Sequence, residues 1–336
     1  MWMRLVTVAV FLSLLPAAFA QPPVKVACDR TCLEGYIDRY LDAMLANDPS
    51  PKLFARGCKF TENGVQMPLG NEGLWFAMSG KGTYKFYVPD VETQQIAFIG
   101  TAREGGSSTA AKPGAKPVEP TIVALAIRLK IVAGLITEAE QLVIRPEQNL
   151  FGSGSGSAFP PTGVSVEKMG APHKIYTEVI PEAQRASREE LIKTANYYFT
   201  GLQRNDGKGY YPFTDDCDRY ENGMQTTNMV RKDPTTGRET KSMGCKEQFE
   251  KGLQGVVSRV RDRRFVAVDR ERGIAFAFGF FDHEQINWTW QLAELFKIEN
   301  GQIRRIEAVF HRCPYGMNSG WSTFEQGMSD QIQSIR

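Results

Sequence analysis

The chain has 336 residues, of which 42% are hydrophobic, 23% charged and 11% aromatic, the composition of a folded protein of one large or two ordinary domains. Forty Lys and Arg residues nearly cancel 38 Asp and Glu, and a net charge of +2 gives no field that would draw nucleic acid or an anionic membrane. A chain of this length buries roughly three quarters of its unfolded surface, so neither a disulfide nor a metal is needed merely to reach stability.

Residues 1–20 read as a signal peptide: Arg4 supplies a positive charge, Leu5 to Leu15 is uncharged and mainly apolar, and Ala18-Phe19-Ala20 presents small residues where a signal peptidase cuts. The mature chain is therefore expected to be secreted or periplasmic, with no membrane association once the signal is cleaved. No later stretch approaches the length of a transmembrane helix. All six cysteines lie in the mature part, and an even count in an oxidising compartment favours disulfides. Cys217–Cys245 is the expected pair, closing an irregular stretch with Pro234 and Gly237, and Cys28–Cys32 is a local one. The only histidines are His173, His283 and His311, so a structural zinc site is not expected, nor any other metal.

In chain order the first predicted element is a helix, with Thr31-x-x-Glu34 as a capping box ahead of an apolar stripe from Leu33 to Met44. The same unit recurs: Ser187-x-x-Glu190 precedes Leu191, Ala195, Tyr198, Phe199 and Leu202, and the two helices end in Asn47-Asp48 and Asn205-Asp206. Next comes F-x-x-x-C-x-x-x-E-N-G-x-Q twice, from Phe54 to Gln66 and from Phe213 to Gln225. Gln95 to Phe98 matches Gly273 to Phe276 in alternation. Lys130-Ile131 and Gly134 to Ile136 match Lys297-Ile298 and Gly301 to Ile303, so each half ends in a long hairpin, with Glu140 matching Glu307. Gly105 to Pro120 reads as an exposed loop, and Arg145 to Ala186, with Gly152 to Ser157 and Pro160-Pro161, as a flexible linker followed by an extended crossover. The expected division is a first domain over 21–145, linker and crossover over 146–186, and a second domain over 187–336.

Helices first and a closing hairpin last imply an α+β fold, two tandem cone-shaped domains in each of which a curved antiparallel sheet wraps around N-terminal helices. The helix, Asn-Asp, E-N-G and terminal I-x-x-x-E strand resemble the nuclear transport factor 2-like superfamily, which includes ketosteroid isomerase and the SnoaL-like polyketide cyclases. More narrowly, Tyr220 to Asn228, Phe280 to His283 and Pro314 to Trp321 resemble a tandem-domain family of exported fungal and bacterial proteins. The resemblance implies chemistry in a cone, by a carboxylate or histidine base with groups that stabilise an enolate or oxyanion. It identifies no single catalytic triplet.

The candidate residues follow from comparing the copies. On a regular strand His311 shares a face with Ile303, Arg305, Glu307 and Val309. The first copy keeps Ile144 at the His311 position, so the second copy has gained an imidazole suited to acid–base work. Glu307 and His311 are expected on the inner face. Asp282 and His283 are further catalytic candidates, although adjacent strand residues point to opposite faces and cannot both enter one pocket unless the strand bulges. Arg219, Tyr220, Glu221 and Asn222 are candidate binding groups, with Arg219 the sharpest because the first copy has Phe60 or Lys59 there. Glu-Asn-Gly in both copies also fits a shared turn. Trp288 and Trp290, with Trp75 and Trp321, line an apolar mouth or pack in the core. Arg259, Arg261, Arg263 and Arg264 read as a solvated face of a helix and its exit. Asn287-Trp288-Thr289 is a glycosylation acceptor sequence.

No G-x-S-x-G elbow, H-E-x-x-H, P-loop or dinucleotide fingerprint is present. The leading expectation is a cofactor-independent acid–base enzyme, a lyase, isomerase, cyclase or hydratase acting on a small, partly apolar molecule in the second cone. The alternative is an exported non-catalytic small-ligand binding protein. A small-molecule partner, no nucleic acid and a possible homodimer complete the reading.

Overall fold

A computed structural model describes residues 27–106, 118–146, 161–251 and 257–333. The signal peptide over 1–20, the Gly-Ser stretch 152–157 and most of the loop read over Gly105 to Pro120 lie outside the described residues. The first unit contains α1 (Arg30–Ala46), β1 (Phe54–Glu62), β2 (Val65–Gln66), α2 (Leu74–Ala77), β3 (Met78–Asp90), β4 (Gln95–Glu104), β5 (Thr121–Val132) and β6 (Leu135–Ile144). After α3 (Thr162–Lys168), the second contains α4 (Arg188–Arg204), β7 (Phe213–Glu221), β8 (Met224–Gln225), β9 (Val230–Lys232), β10 (Glu239–Lys241) and α5 (Cys245–Lys251). It continues with β11 (Arg259–Asp269), β12 (Ile274–His283), β13 (Trp288–Glu299), β14 (Gln302–Pro314) and α6 (Phe324–Met328).

The fold is α+β, with two six-stranded sheets of the same strand order, β2-β1-β6-β5-β4-β3 and β8-β7-β14-β13-β12-β11. Within them only β1 with β6 and β7 with β14 run parallel. Local chemistry sets the repeated ends. Asn47 and Asn205 stop α1 and α4 in the left-handed conformation, which a short amide side chain tolerates. Asn63-Gly64 and Asn222-Gly223 both have positive φ at the β1–β2 and β7–β8 turns, as a tight two-residue hairpin demands. Ser187 and Glu190 cap each other at the start of α4. The start of α1 differs from the sequence reading: Asp29, not Thr31, is the N-cap, accepting from the Cys32 amide, and Thr31 is already helical.

Each helix packs on one face of its own sheet. Leu33, Ile37, Tyr40 and Leu41 of α1 join Ile96, Phe98, Ile127, Ala139 and Val143, while Leu191, Tyr198 and Phe199 of α4 join Ala275, Leu292, Phe296, Ile306 and Ala308. The other faces pack against each other: Tyr84, Phe86, Ile99, Ala124 and Leu142 meet Val266, Phe276, Phe278, Leu295 and Val309. The crossover is not merely extended. It forms α3 and two short 3-10 turns, and its Val166, Ile175 and Tyr176 join this back-to-back layer.

Two corrections concern the strands. Lys130 pairs with Gln95 and Lys297 with Ile274, so Gln95 corresponds to Ile274 rather than Gly273; a one-residue slip exchanges the two faces. The arginine run is strand β11, not helix, and Arg261, Arg263 and Arg264 are buried. Asp262 has φ 50° and the pairing with β12 shifts between Arg261 and Arg264. This irregularity aims the three guanidiniums at different partners: Asp282 and two backbone carbonyls of the C-terminal segment, neutral side chains of α4, and Glu140 of the first sheet. Cys28–Cys32 and Cys217–Cys245 are disulfides, and Cys58 and Cys313 are unpaired despite the even count. Among the described residues, no helix is long and apolar enough to cross a membrane.

Candidate functional site

Strand β14 does not keep the alternation that its sequence implies. Its pairing with β7 shifts between Ile303 and Arg305, and from there Ile306, Ala308 and Phe310 face the helix side. Arg305, Glu307, Val309 and His311 consequently face the other sheet. Glu307 accepts a hydrogen bond from the Tyr84 hydroxyl of the first unit at 2.6 Å, and burial pushes its carboxyl up to about 7. His311 Nε2 lies 3.1 Å from Gln291 Oε1, and burial holds the imidazole down to about 4, with Arg145 adding to the push. At neutral pH it is uncharged and a poor base. The expectation that Glu307 and His311 line the interior of the second unit is overturned by this bulge.

The other candidates divide between the faces. Tyr220 is on the back face, where its hydroxyl donates to Gln225 at 3.0 Å and the Arg305 guanidinium lies 4.4 Å from its ring centre. The Asn222 side chain is consumed by the Phe310 backbone, accepting at 2.9 Å and donating at 3.2 Å, as Asn63 is by Val143. Asp282 holds Arg259, Arg261 and Thr289. Burial alone would raise it, but these bonds outweigh burial and keep it below the usual carboxylate range. His283 points the other way, against Trp290 at 4.3 Å, and burial lowers its pKa. Trp290 stacks on Phe310 at 4.7 Å, and Trp288 lies under the Arg312 guanidinium at 3.9 Å. Trp75 fills the first unit against Tyr40 and Phe54, and Trp321 reaches across to donate to Thr61 at 2.8 Å.

Arg219 and Glu221 do face the helix side, and the structure adds a residue that the sequence reading missed. Glu294 on β13 and Glu221 on β7 both pair with Ala308, so the two flank one residue of β14, about 10 Å apart between Cα atoms. Glu294 is 1% exposed and its carboxyl is pushed up to about 8, first by burial and next by Glu221, with Arg219 and Tyr198 opposing. The Arg219 Nε lies 3.0 Å from Glu221 Oε1, and Nη2 donates to Gln248 of α5 at 2.6 Å. This leaves Arg219 Nη1 and Glu294 Oε2 buried without a hydrogen-bond partner. The Cys217–Cys245 disulfide ties α5 to β7, and Phe249 of α5 packs on Tyr198 at 5.2 Å.

The first unit lacks this pair. Strand registers put Phe60 at the Arg219 position and Ile127 at the Glu294 position, both in the apolar core. Its remaining carboxylate, Glu62, is bonded to the Leu74 amide, Gln141 and Arg145. Glu294 was legible in principle: aligning β13 with β5 sets this carboxylate against Ile127. Two surface depressions of about 190 and 510 Å³ lie elsewhere, beside the start of α4, sharing Gln184, Ala186 and Ile298. Among the described residues no group of three or more His, Cys, Asp or Glu is placed to hold a metal ion.

Residues 184–310 match a family model described as a domain of unknown function (DUF8021). No curated protein matches the chain. Among solved structures, a de novo designed protein with a curved β-sheet is similar to it at 16% identity and a TM-score of 0.25, over 38% of this chain and 88% of that one.

Proposed function

We propose that the second unit is a cofactor-independent acid–base enzyme, a lyase, isomerase, cyclase or hydratase for a small, partly apolar carbonyl compound, working in a nuclear transport factor 2-like cone of an exported protein. The observation that carries it is the buried Glu294 carboxyl at about 8, coupled electrostatically to Arg219, whose Nη1 has no hydrogen-bond partner. A carboxyl in that range both gives and takes a proton near neutral pH, which general acid–base catalysis requires. A carbonyl oxygen would accept from Arg219 Nη1, and the guanidinium, held in place by Glu221 and Gln248, would stabilise the oxyanion that forms as Glu294 removes a neighbouring proton. His311 and Glu307 have no part in this scheme. The reading is tested by incubating the protein in D₂O with a panel of small cyclic ketones and enones and following loss of α-proton signals by NMR. Glu294→Gln should slow exchange by about 10²-fold or more. Equal exchange by that variant, or none by the wild type across the panel, would refute it.

Ligand binding without turnover is the second reading, favoured by the ties that Arg219 already has to Glu221, Thr226 and Gln248. It predicts saturable binding of a panel compound with no exchange in either protein.

A further inference from the structure

At the β12–β13 hairpin end of the second sheet, three buried polar atoms have no hydrogen-bond partner: both ring nitrogens of His283 and the indole Nε1 of Trp288. His283 is 6% exposed, and the Phe281 backbone lies near its ring without reaching hydrogen-bond geometry. Such atoms are scarce in native proteins, because each gives up its hydration for nothing. Three of them side by side ask for a partner. The two ring centres are 6.1 Å apart, within reach of one oxygen about 2.9 Å from a nitrogen of each.

The chemistry of that partner follows from the donors. Burial lowers the His283 pKa; the neutral imidazole that this favours offers one N–H and one lone pair, and Trp288 offers one N–H. An ammonium would find only one acceptor, and the exposed Arg312 guanidinium lies over the face of Trp288, 3.9 Å from its ring centre. A hydroxyl, with one donor and two lone pairs, satisfies the indole N–H and either state of the nearer imidazole nitrogen. Beside these atoms Trp290 packs against the His283 ring at 4.3 Å and stacks on Phe310 at 27° between ring planes, an apolar border to the three polar atoms.

We propose that His283, Trp288, Trp290 and Phe310 form a subsite for the hydroxyl of a flat aromatic alcohol. Trp288 and Glu294 are six strand residues apart on β13, about 20 Å, so a small alcohol occupies this subsite without touching Glu294. Its success or failure is thus separable from the acid–base reading.

The chain has three histidines, so ¹⁵N-histidine NMR resolves each ring, and benzyl alcohol and toluene are matched probes with and without the hydroxyl. Benzyl alcohol should shift the His283 nitrogens and the Trp288 indole signal saturably while those of His173 and His311 stay in place. Toluene, and benzyl alcohol with Trp288→Phe, should bind about tenfold more weakly, the loss of one hydrogen bond. His283→Phe keeps the apolar border and should abolish the preference for the alcohol, with the His173 and His311 signals reporting that the fold is intact. Glu294→Gln should bind the alcohol as the wild type does. Equal affinity for toluene, unchanged affinity in Trp288→Phe, or an ordered water on His283 with no alcohol binding would overturn the subsite.

Discussion

Glu307 sits where the two sheets meet, and replacing it with glutamine separates its charge from its hydrogen bond. The carboxyl accepts from Tyr84 at 2.6 Å, and burial raises it from 4.5 to about 7. A raised folded-state pKa means that the folded protein holds the proton more tightly than the unfolded chain. The favourable contribution is therefore complete below pH 4.5, falls as pH rises, and is exhausted near pH 7. At 1.36 kcal/mol per pKa unit the loss is about 3 kcal/mol. Glu307→Gln keeps an oxygen for the Tyr84 hydroxyl and cannot ionise. Near pH 5 the variant should melt close to the wild type, and at pH 8 it should melt higher, by about 6 °C if 1 kcal/mol corresponds to about 2 °C. Differential scanning fluorimetry from pH 4.5 to 8.5 measures the divergence. A constant offset between the two melting curves across that range would show that Glu307 does not titrate between folded and unfolded states as its burial requires.

The same seam gives a second outcome. Arg264 donates two bonds of 2.7 Å to Glu140, whose next cation, Arg128, is 3.9 Å away, so Arg264→Met should cost roughly 3 kcal/mol in urea denaturation. Adding Glu140→Gln should recover a large part of it, and a variant as stable as the wild type would rule out the bridge as a structural tie. Cys245→Ala opens the disulfide across a sequence separation of 28 and should cost about 3 kcal/mol by chain entropy, read as a lower urea midpoint under non-reducing conditions; an unchanged midpoint would rule out the bridge as a stabilising tie.

What the sequence disclosed was whatever it repeats locally. The helix ends at Asn47 and Asn205, the Asn-Gly turns and the paired closing hairpins recur in both copies with the same chemistry, and two sheets of one strand order result. What it hid depended on distant partners. Arg259 to Arg264 looks like a solvated charge run because Asp282, Glu140, the α4 side chains and the carbonyls of Met317 and Gly327 are all remote in sequence. The bulge between Ile303 and Arg305 lies within a stretch that reads as regular alternation. It sends Glu307 and His311 to the opposite face from the one that Ile303 occupies.

The two copies differ where one carries charge inside and the other does not. Tyr40 and Tyr198 stand at matching points of α1 and α4, each covered by an aromatic from a short helix, Trp75 in one and Phe249 in the other. Around Tyr40 the polar groups are saturated: its hydroxyl donates to Gln141 and accepts from Trp75, and Glu62 has three partners. Around Tyr198 an arginine and a glutamate replace Phe60 and Ile127, and one atom of each remains unbonded. Burying two such groups in place of a benzyl and a butyl side chain costs stability, since desolvation of a buried pair is seldom fully offset by its attraction. An interior arranged only for packing would keep the first unit's solution. The second unit departs from it at two positions on either side of β14, where a carboxyl pushed up to about 8 and a buried guanidinium face the same interior, and groups so perturbed are the ones a functional test should address first.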